Sequence, residues 1–263
     1  MTADERIQGQ TFGEVAEDFD RVRLGYPEAL VDDVLGYCGS AIDGRSALEV
    51  GAGTGKATRA FVARGVPVVA VEPDNAMAAI LDRHFRDAVR IVRSGFEEYE
   101  PGEAFGLLYS ADAWHWVRPE VRWALAGRAL APGGALALFW NNARINDPAL
   151  RQSMVDTLRE ITPSIVVEDD LVTRDRLLHV WPGTELVRQP EFEDVDARLY
   201  QSHLTMSGVD YLTHMGTRSQ IRMLAEPVRA RLFATLANVF DGDVALTVDT
   251  GLYLARCAGA SRS

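Results

Sequence analysis

Features that mark several other classes of protein are scarce or missing in this chain. Its two cysteines, Cys38 and Cys257, lie far apart and give neither metal-ligand spacing nor a disulfide framework. No apolar stretch reaches the roughly 18 residues that a membrane-spanning helix needs, and the first residues lack the basic and apolar regions of a signal peptide. We therefore predict a cytoplasmic protein with no metal site and no membrane contact.

Basic residues are also in short supply. Lysine and arginine together number 27 against 38 aspartates and glutamates, so the formal net charge is −11 and the isoelectric point is about 5.0. An acidic surface repels a phosphate backbone, which disfavours nucleic acid as a partner. The rest of the composition is typical of a globular protein, and 263 residues suit one large α/β domain.

The most informative segment spans residues 46–55. A short apolar run, 47–50, passes into Gly51-x-Gly53-x-Gly55, and a helical pattern follows. Glycines in such a turn let a ligand approach the backbone, and the helix N-terminus offers free N–H groups. A second apolar run, 66–71, ends in Glu72, where an acidic side chain suits the hydroxyls of a ribose. Together these features predict a nucleoside-bearing cofactor.

Two familiar nucleotide motifs do not fit the spacing. The dinucleotide pattern G-x-G-x-x-G requires glycine at position 56, which is Lys56. The phosphate-loop pattern requires glycine at 50 and serine or threonine at 57, where Val50 and Ala57 stand. An NAD-type oxidoreductase is therefore disfavoured, and the pattern E-x-G-x-G-x-G with a downstream acid remains.

The apolar segments of the first half alternate with helical patterns. Predicted strands cover residues 46–50, 67–71, 90–93, 105–109 and 135–140. A helix predicted over 120–130 stops at Ala131-Pro132-Gly133-Gly134, which is a strong helix breaker. Strands that alternate with helices predict an α/β fold with a parallel sheet and right-handed crossovers.

The second half has a different pattern. Helices are predicted at 147–161, 168–181, 207–216 and 226–239, and extended segments at 185–206 and 245–257. Because we find no repeat and no linker, we predict a single domain over residues 1–263. It would consist of a cofactor-binding core with N-terminal helices (1–142), a helical cap or acceptor region (143–220), and a closing helix and strand (221–263).

Several motifs extend the likeness to one family. Residues 19–27 are similar to the opening Y-D-x-x-R-P-x-Y-P of many small-molecule methyltransferases, with Phe19 in place of tyrosine and Leu24 in place of proline. Residues 110–116 resemble A-x-A-x-H-W, and 130–134 resemble L-x-P-G-G. With the glycine turn, the pattern resembles class I S-adenosylmethionine-dependent methyltransferases of the small-molecule group (methyltransferase type 11, trans-aconitate methyltransferase-like).

This resemblance implies a Rossmann-like, mostly parallel sheet of seven strands with a helical insertion, and S-adenosylmethionine as the cofactor. The cofactor-binding residues it implies are Arg23, Glu49, Gly51, Ala52, Gly53, Gly55, Glu72, Pro73, Ser94, Phe96, Glu97, Ala111 and Trp114. The acceptor-side residues that we predict are Tyr26, His115, Trp116, Trp140, Arg144 and His203, and His179 and His214 could also line that pocket. His115 is the candidate general base, although a structural role for it is equally open.

The family does not identify the acceptor. An oxygen, nitrogen, sulfur or carbon nucleophile on a small molecule is open, as is a monomer or a homodimer. A nucleic-acid methyltransferase is disfavoured, because Ser110-Ala111-Asp112-Ala113 stands where Asn-Pro-Pro-Tyr would be and neither cysteine follows a proline. A non-catalytic S-adenosylmethionine-binding protein stays open, because the glycine motif reports binding and not turnover.

Overall fold

The computed structural model describes residues 13–165 and 173–259, and these form one seven-stranded sheet. The strands are β1 (Ala47–Val50), β2 (Val68–Val71), β3 (Val89–Val92), β4 (Phe105–Ala111), β5 (Leu130–Ile145), β6 (Phe192–Ser207) and β7 (Asp243–Cys257). Their spatial order is β3-β2-β1-β4-β5-β7-β6. Neighbouring strands from β3 to β5 are parallel, whereas β7 is antiparallel to both β5 and β6. The predicted fold class is confirmed.

Helices connect the strands and cover the sheet. They are α1 (Ala16–Val22), α2 (Glu28–Cys38), α3 (Thr58–Val62), α4 (Asn75–Phe85), α5 (Arg122–Ala129), α6 (Pro148–Ile161), α7 (Arg174–Leu177), α8 (Gly183–Leu186), α9 (Gly208–Gly216), α10 (Ser219–Arg222) and α11 (Glu226–Leu236). None of the helices within the described residues is long and apolar enough to cross a membrane.

The short central strands are apolar because both faces of the sheet are covered. Every residue of β1 and of β2 is buried, including Glu49 at 1% exposure. A strand buried on both sides reads as a continuous apolar run and not as an alternating one. Glu49 is a carboxylate inside such an apolar run, so its burial requires a specific reason.

The structure differs from the sequence prediction at β5. The strand begins at Leu130, passes through Pro132, and continues to Ile145, so it is longer than the predicted 135–140 at both ends. Its pairing with β4 is irregular between Phe105 and Leu107, next to the proline that cannot donate a ladder hydrogen bond. Its polar end, which looks like a loop in sequence, is held by pairing with β7 as far as Ile145 and Leu246.

The region predicted as a helical cap or acceptor region, 143–220, also supplies a strand of the sheet. It contains β6, the edge strand of the sheet, which begins at Phe192 and not at the predicted residue 185; helix α8 occupies Gly183–Leu186. Of the helix predicted over 168–181, residues 168–172 lie outside the described residues, and only Arg174–Leu177 of the remainder is helical. Helices α6, α9 and α11 bury an apolar cluster against the extended ends of β5 and β7; it includes Ile145, Met154, Leu158, Tyr211, Leu232 and Leu246.

Candidate functional site

A cavity opens at the carboxyl ends of the parallel strands. It lies where the strand order changes direction between β1 and β4, which is where ligands of open α/β sheets bind. The side that we call the β1–β3 wall is formed by Glu49, Val50, Gly51, Ala52, Gly53, Val71, Glu72, Pro73, Asp74, Gly95, Phe96 and Glu97. The opposite side, the β4–β5 wall, is formed by Leu24, Tyr26, Ala111, Asp112, Ala113, Trp116, Asn141, Ala143, His214 and Arg218. Arg23 and Phe19 also line the cavity.

The glycine turn after β1 uses positive backbone angles. Gly51 has φ 71° and Gly53 has φ 57°, a region that other residues rarely adopt. A Cβ atom on Gly51 would lie 2.4 Å from the Cβ of Ala113, so the turn after β1 packs directly against the loop after β4. Gly55 has a different role, because a Cβ there would meet the rings and methyls of Phe85 and Leu81 on α4. It is not part of the cavity wall.

Glu49, the penultimate residue of β1, is a buried carboxylate. Thr58 Oγ1 donates to its Oε2 at 2.5 Å, and the Tyr109 hydroxyl donates to the same oxygen at 2.9 Å. Burial disfavours the charged form and raises the pKa of Glu49 to about 8, in spite of these two hydrogen bonds. No cation pairs with this carboxyl group among the described residues.

Glu72 ends β2 and ties two loops together. Its Oε2 accepts a hydrogen bond from the Gly53 backbone N–H at 2.7 Å, and its Oε1 accepts from the Asp74 N–H at 2.8 Å. Burial is again the main cause that raises its pKa, here to about 7. Asp74 in turn caps α4 by accepting from the N–H groups of Ala76 and Met77. The carboxylate therefore has a fixed position and keeps lone pairs for further donors.

The loop after β3 completes the β1–β3 wall. Phe96 and Glu97 lie in the wall as predicted, and Glu97 Oε1 accepts from the Arg118 N–H at 2.9 Å. Ser94 does not line the cavity; its neighbour Gly95 does. Trp114 was predicted at the cofactor but is fully buried in the core, between Phe96 and Trp123.

Arg23 and Tyr26 reach the cavity from the segment between α1 and α2. The Arg23 Nε donates to Thr217 Oγ1 at 2.9 Å, and its guanidinium lies 4.9 Å from the centre of the Phe19 ring. The Tyr26 hydroxyl donates to Asp112 Oδ2 at 2.8 Å. The N-terminal segment is thus connected to both α9 and the end of β4.

The structure places three predicted acceptor-side residues on the opposite face of the sheet. Side chains alternate along a strand, so Asn141 and Ala143 face the cavity while Trp140 and Arg144 face away. Arg144 donates to Asp249 Oδ2 through Nε at 3.2 Å and through Nη2 at 3.0 Å. His203, on β6, contacts Thr247 on that same face. Trp140, Arg144 and His203 are therefore outside the cavity lining, and their assignment to the acceptor stays a prediction; the sequence does not show which face of a strand borders the cavity.

His115 also lies outside the wall, in the short 3-10 turn Trp114–Trp116. Trp140 Nε1–H donates to its Nδ1 at 3.4 Å, and the Trp116 ring lies 4.5 Å away. Desolvation, followed by the charge of Arg122, lowers the pKa of His115 to about 4. At neutral pH the ring is therefore uncharged.

Of the predicted residues, thirteen line the cavity: Arg23, Tyr26, Glu49, Gly51, Ala52, Gly53, Glu72, Pro73, Phe96, Glu97, Ala111, Trp116 and His214. Eight do not: Gly55, Ser94, Trp114, His115, Trp140, Arg144, His179 and His203. Wall residues absent from the prediction include Phe19, Lys56, Asp74, Asp112, Asn141 and Arg218. Asp112 stands inside a motif that the sequence identified, whereas Arg218 has no local signal.

Comparison with known proteins is consistent with this geometry. The family model described as a methyltransferase domain matches residues 48–138. Uncharacterized methyltransferases from Mycobacterium tuberculosis and Mycobacterium bovis are 32% identical to the chain over 188 residues, 72% of this chain and 72% of each relative. One from Schizosaccharomyces pombe is 29% identical over 134 residues, 51% of this chain and 53% of that protein.

Solved structures share the fold. A protein from Anaeromyxobacter dehalogenans, described provisionally as a type II methyltransferase, superposes with a TM-score of 0.63 and 22% identity, over 90% of this chain and 98% of that one. An SAM-dependent methyltransferase from Geobacter sulfurreducens in complex with S-adenosyl-L-homocysteine gives a TM-score of 0.51 and 15% identity, over 91% of this chain and 96% of that one.

Proposed function

We propose, from the premise that the chain belongs to the class I S-adenosylmethionine-dependent methyltransferases, that it methylates a small-molecule acceptor by direct displacement. One observation carries the proposal. Two buried carboxylates, Glu49 and Glu72, lie at the carboxyl ends of neighbouring strands and line one cavity beside a glycine turn. Neither pairs with a cation among residues 13–165 and 173–259, so both are available to a ligand.

The wall residues fit S-adenosylmethionine. Glu49 would bind the ammonium of the methionine group, since a cation beside a desolvated carboxylate offsets the burial that raises its pKa. Arg23 would pair with the carboxylate of that group. Glu72 would accept the ribose hydroxyls, and Phe96 and Glu97 would lie beside the adenine.

The chain's contribution to the reaction would be positioning and exclusion of water. Bound S-adenosylmethionine supplies a methyl group on a positively charged sulfur, which is already a strong electrophile. Fixing the acceptor in line with that methyl group accounts for much of a rate enhancement of this kind. The β4–β5 wall, with Tyr26, Asp112 and Asn141, is the surface left for the acceptor once the β1–β3 wall holds the cofactor.

Charge supports a small acceptor. The net charge of −11 disfavours a polyanion. The acceptor that we propose is therefore a small molecule and not a nucleic acid. No group of metal-ligand side chains is present in the described part of the chain, and displacement from a sulfonium needs none.

Isothermal calorimetry with S-adenosylmethionine, S-adenosylhomocysteine and NAD tests the proposal. We expect saturable binding of the first two and none of NAD. Glu72→Ala should weaken binding by about 1–3 kcal/mol, because hydrogen bonds to a charged group are lost. Glu103→Ala, which removes an exposed carboxylate outside the cavity, should leave the affinity unchanged.

Saturable NAD binding without a response to S-adenosylhomocysteine would refute the cofactor assignment. Binding without methylation of any member of a panel of phenols, amines, thiols and carboxylic acids would instead contradict the enzymatic part of the proposal.

A further inference from the structure

The loop after β4 holds a feature that the cofactor does not explain. Asp112 follows the last residue of β4 with φ 52°, a left-handed conformation that residues other than glycine seldom adopt. Its backbone N–H is fixed by the Phe139 carbonyl at 2.9 Å. Such strain persists where the surrounding structure enforces it, and it is concentrated at functional sites.

The position of Asp112 puts its carboxylate on the acceptor side. The β1–β3 wall, which would hold the cofactor, extends from β1 toward β2 and β3, whereas Asp112 ends β4 on the other side of β1. Ala113, the next residue, is the one that packs against Gly51, so the Asp112 loop lies directly beside the glycine turn. Within the described part of the β4–β5 wall, Asp112 is the only carboxylate.

The partners of Asp112 hold it without neutralising it. Tyr26 donates to Oδ2 at 2.8 Å, and the Asn141 backbone N–H lies 3.4 Å from Oδ1. Neither partner carries a positive charge, and no ion pair to Asp112 is formed by the residues that the structure describes. The charged groups that face it are the Arg23 and Arg218 guanidinium groups, which act from a distance.

Other candidate bases in this region are less suited. His115 has Nδ1 occupied by the Trp140 N–H and lies outside the cavity wall. His214 lines the wall, but burial together with Arg23 and Arg218 lowers its pKa to about 3, which makes it a weak proton acceptor. Glu49 and Glu72 belong to the cofactor wall.

We propose that Asp112 is the catalytic proton acceptor for an acceptor molecule with a protonated nucleophile, a hydroxyl or an amine, and that Tyr26 is its positioning residue. This rests on the proposed function. The lone pair of the acceptor atom forms the bond to the methyl carbon, and the carbon–sulfur bond breaks with its electrons on sulfur. A hydroxyl acceptor loses its O–H proton as this bond forms, and an ammonium acceptor loses an N–H proton beforehand, which frees the attacking lone pair. In both cases the proton passes to the Asp112 carboxylate and then to water.

A comparison of acceptor types tests the assignment. Wild-type and Asp112→Asn protein are assayed with phenols and primary amines, which lose a proton on methylation, and with thioethers and carboxylates, which do not. We expect Asp112→Asn to lower kcat for the protic acceptors by at least about 100-fold, as for loss of a general base. Its rate with aprotic acceptors and its affinity for S-adenosylhomocysteine should be unchanged.

Two further variants give independent readouts. Asp112→Gly removes the carboxylate and accepts the left-handed backbone without strain, so the same loss of rate is expected in a well-folded protein. Tyr26→Phe removes a hydrogen bond that lowers the pKa of Asp112, so the acid limb of the kcat profile should move to higher pH. Burial raises the pKa of Asp112 above its ordinary value of 3.8, so in the unliganded protein this group should cost stability as pH rises above 3.8, and Asp112→Asn and Asp112→Gly should both remove that contribution. Asp82→Asn, on the exposed face of α4, is the matched control and should change none of these.

Equal losses of rate with protic and aprotic acceptors would overturn the assignment, as would methylation confined to thioethers or carboxylates. An unchanged acid limb in Tyr26→Phe would remove the positioning role. A wild-type protein that binds S-adenosylhomocysteine but methylates no protic acceptor also contradicts it, whereas failure to bind the cofactor contradicts the proposed function itself.

Discussion

Two glutamates at the ends of β1 and β2 are similar in burial but differ in what surrounds them. Glu72 accepts from two backbone N–H groups, so the main chain itself fixes its carboxylate. Glu49 depends on the hydroxyls of Thr58 and Tyr109, both bonded to one oxygen. Burial is the main cause that raises the pKa of both groups, and the charge of Glu72 raises that of Glu49 further, to about 8 against about 7 for Glu72.

The placement of His115 predicts a small effect of its removal. Because Trp140 donates to Nδ1, the neutral ring carries its proton on Nε2 and presents a donor, not a base. We expect His115→Ala to reduce kcat by less than the roughly 10²–10⁴-fold that loss of a general base causes. Steady-state kinetics with a protic acceptor measure this, with Asp112→Asn as the reference. A loss within that range in a protein that still binds S-adenosylhomocysteine would restore His115 as the base.

The sequence predicts wall residues well where local order alone determines their position. Glu49, Gly51 and Glu72 follow directly from the end of a strand, and all three line the cavity. Arg144 and His203 depend on which face of a long strand they occupy, and Arg218 depends on the packing of α9 across the sheet. These positions depend on tertiary packing, which local sequence patterns do not show.

At the scale of elements, the glycine turn and the loop after β4 are in close contact, so an added side-chain atom between them should lower the stability of the fold. Gly51 and Gly65 both have positive φ, but a Cβ on Gly51 meets Ala113 at 2.4 Å while nothing lies within 4 Å of one on Gly65. Both alanine variants carry the backbone strain. We expect Gly51→Ala to lower the free energy of unfolding by a further 1–3 kcal/mol or so, the usual cost of overpacking.

Urea unfolding of Gly51→Ala and Gly65→Ala measures this difference, and equal stabilities would show that the two loops are not in tight contact. Displacement of Ala113 would also move Asp112, so Gly51→Ala should reduce methylation even where the cofactor still binds.

The element predictions fail mainly in the second half of the chain. Strands β1 to β4 are short and mainly apolar, so the sequence pattern predicts them well. The ends of β5 and β6 are polar on one face because that face carries the Arg144–Asp249 ion pair and the His203–Thr247 contact. From the sequence alone, such polar residues indicate a loop or a cap, because the sequence does not show that β7 lies between the two strands.

For the whole molecule, the buried carboxylates predict how stability depends on pH. Glu49 and Glu72 have folded-state pKa values near 8 and 7, above the ordinary value of 4.5, so the native state binds more protons than the unfolded state. His115 and His214, whose pKa values are lowered to about 4 and about 3, oppose this effect only near and below their ordinary value of 6.5. Between pH 6.5 and 8 the unliganded protein should therefore lose stability as pH rises, by about 1 kcal/mol per pH unit for each extra proton.

Urea unfolding across this range measures the slope. Glu49→Gln should flatten it, and the surface variant Glu103→Gln should not. Because a bound ammonium would favour ionised Glu49, saturating S-adenosylmethionine should flatten the slope as well. A wild-type stability that rises from pH 6.5 to 8 would show that neither glutamate is protonated in the fold.

Among the described strands, the antiparallel β7 comes last in sequence order, but it does not lie at the edge of the sheet. It lies between β5 and β6, pairs with both along most of its length, and is buried from Leu246 to Ala255. During synthesis, β5 and β6 are therefore complete before the strand that joins them exists, and each has an edge with unpaired N–H and C=O groups. Closure of the sheet must wait until residues 243–257 have left the ribosome, so a nascent chain that stalls before that point exposes two edges to aggregation.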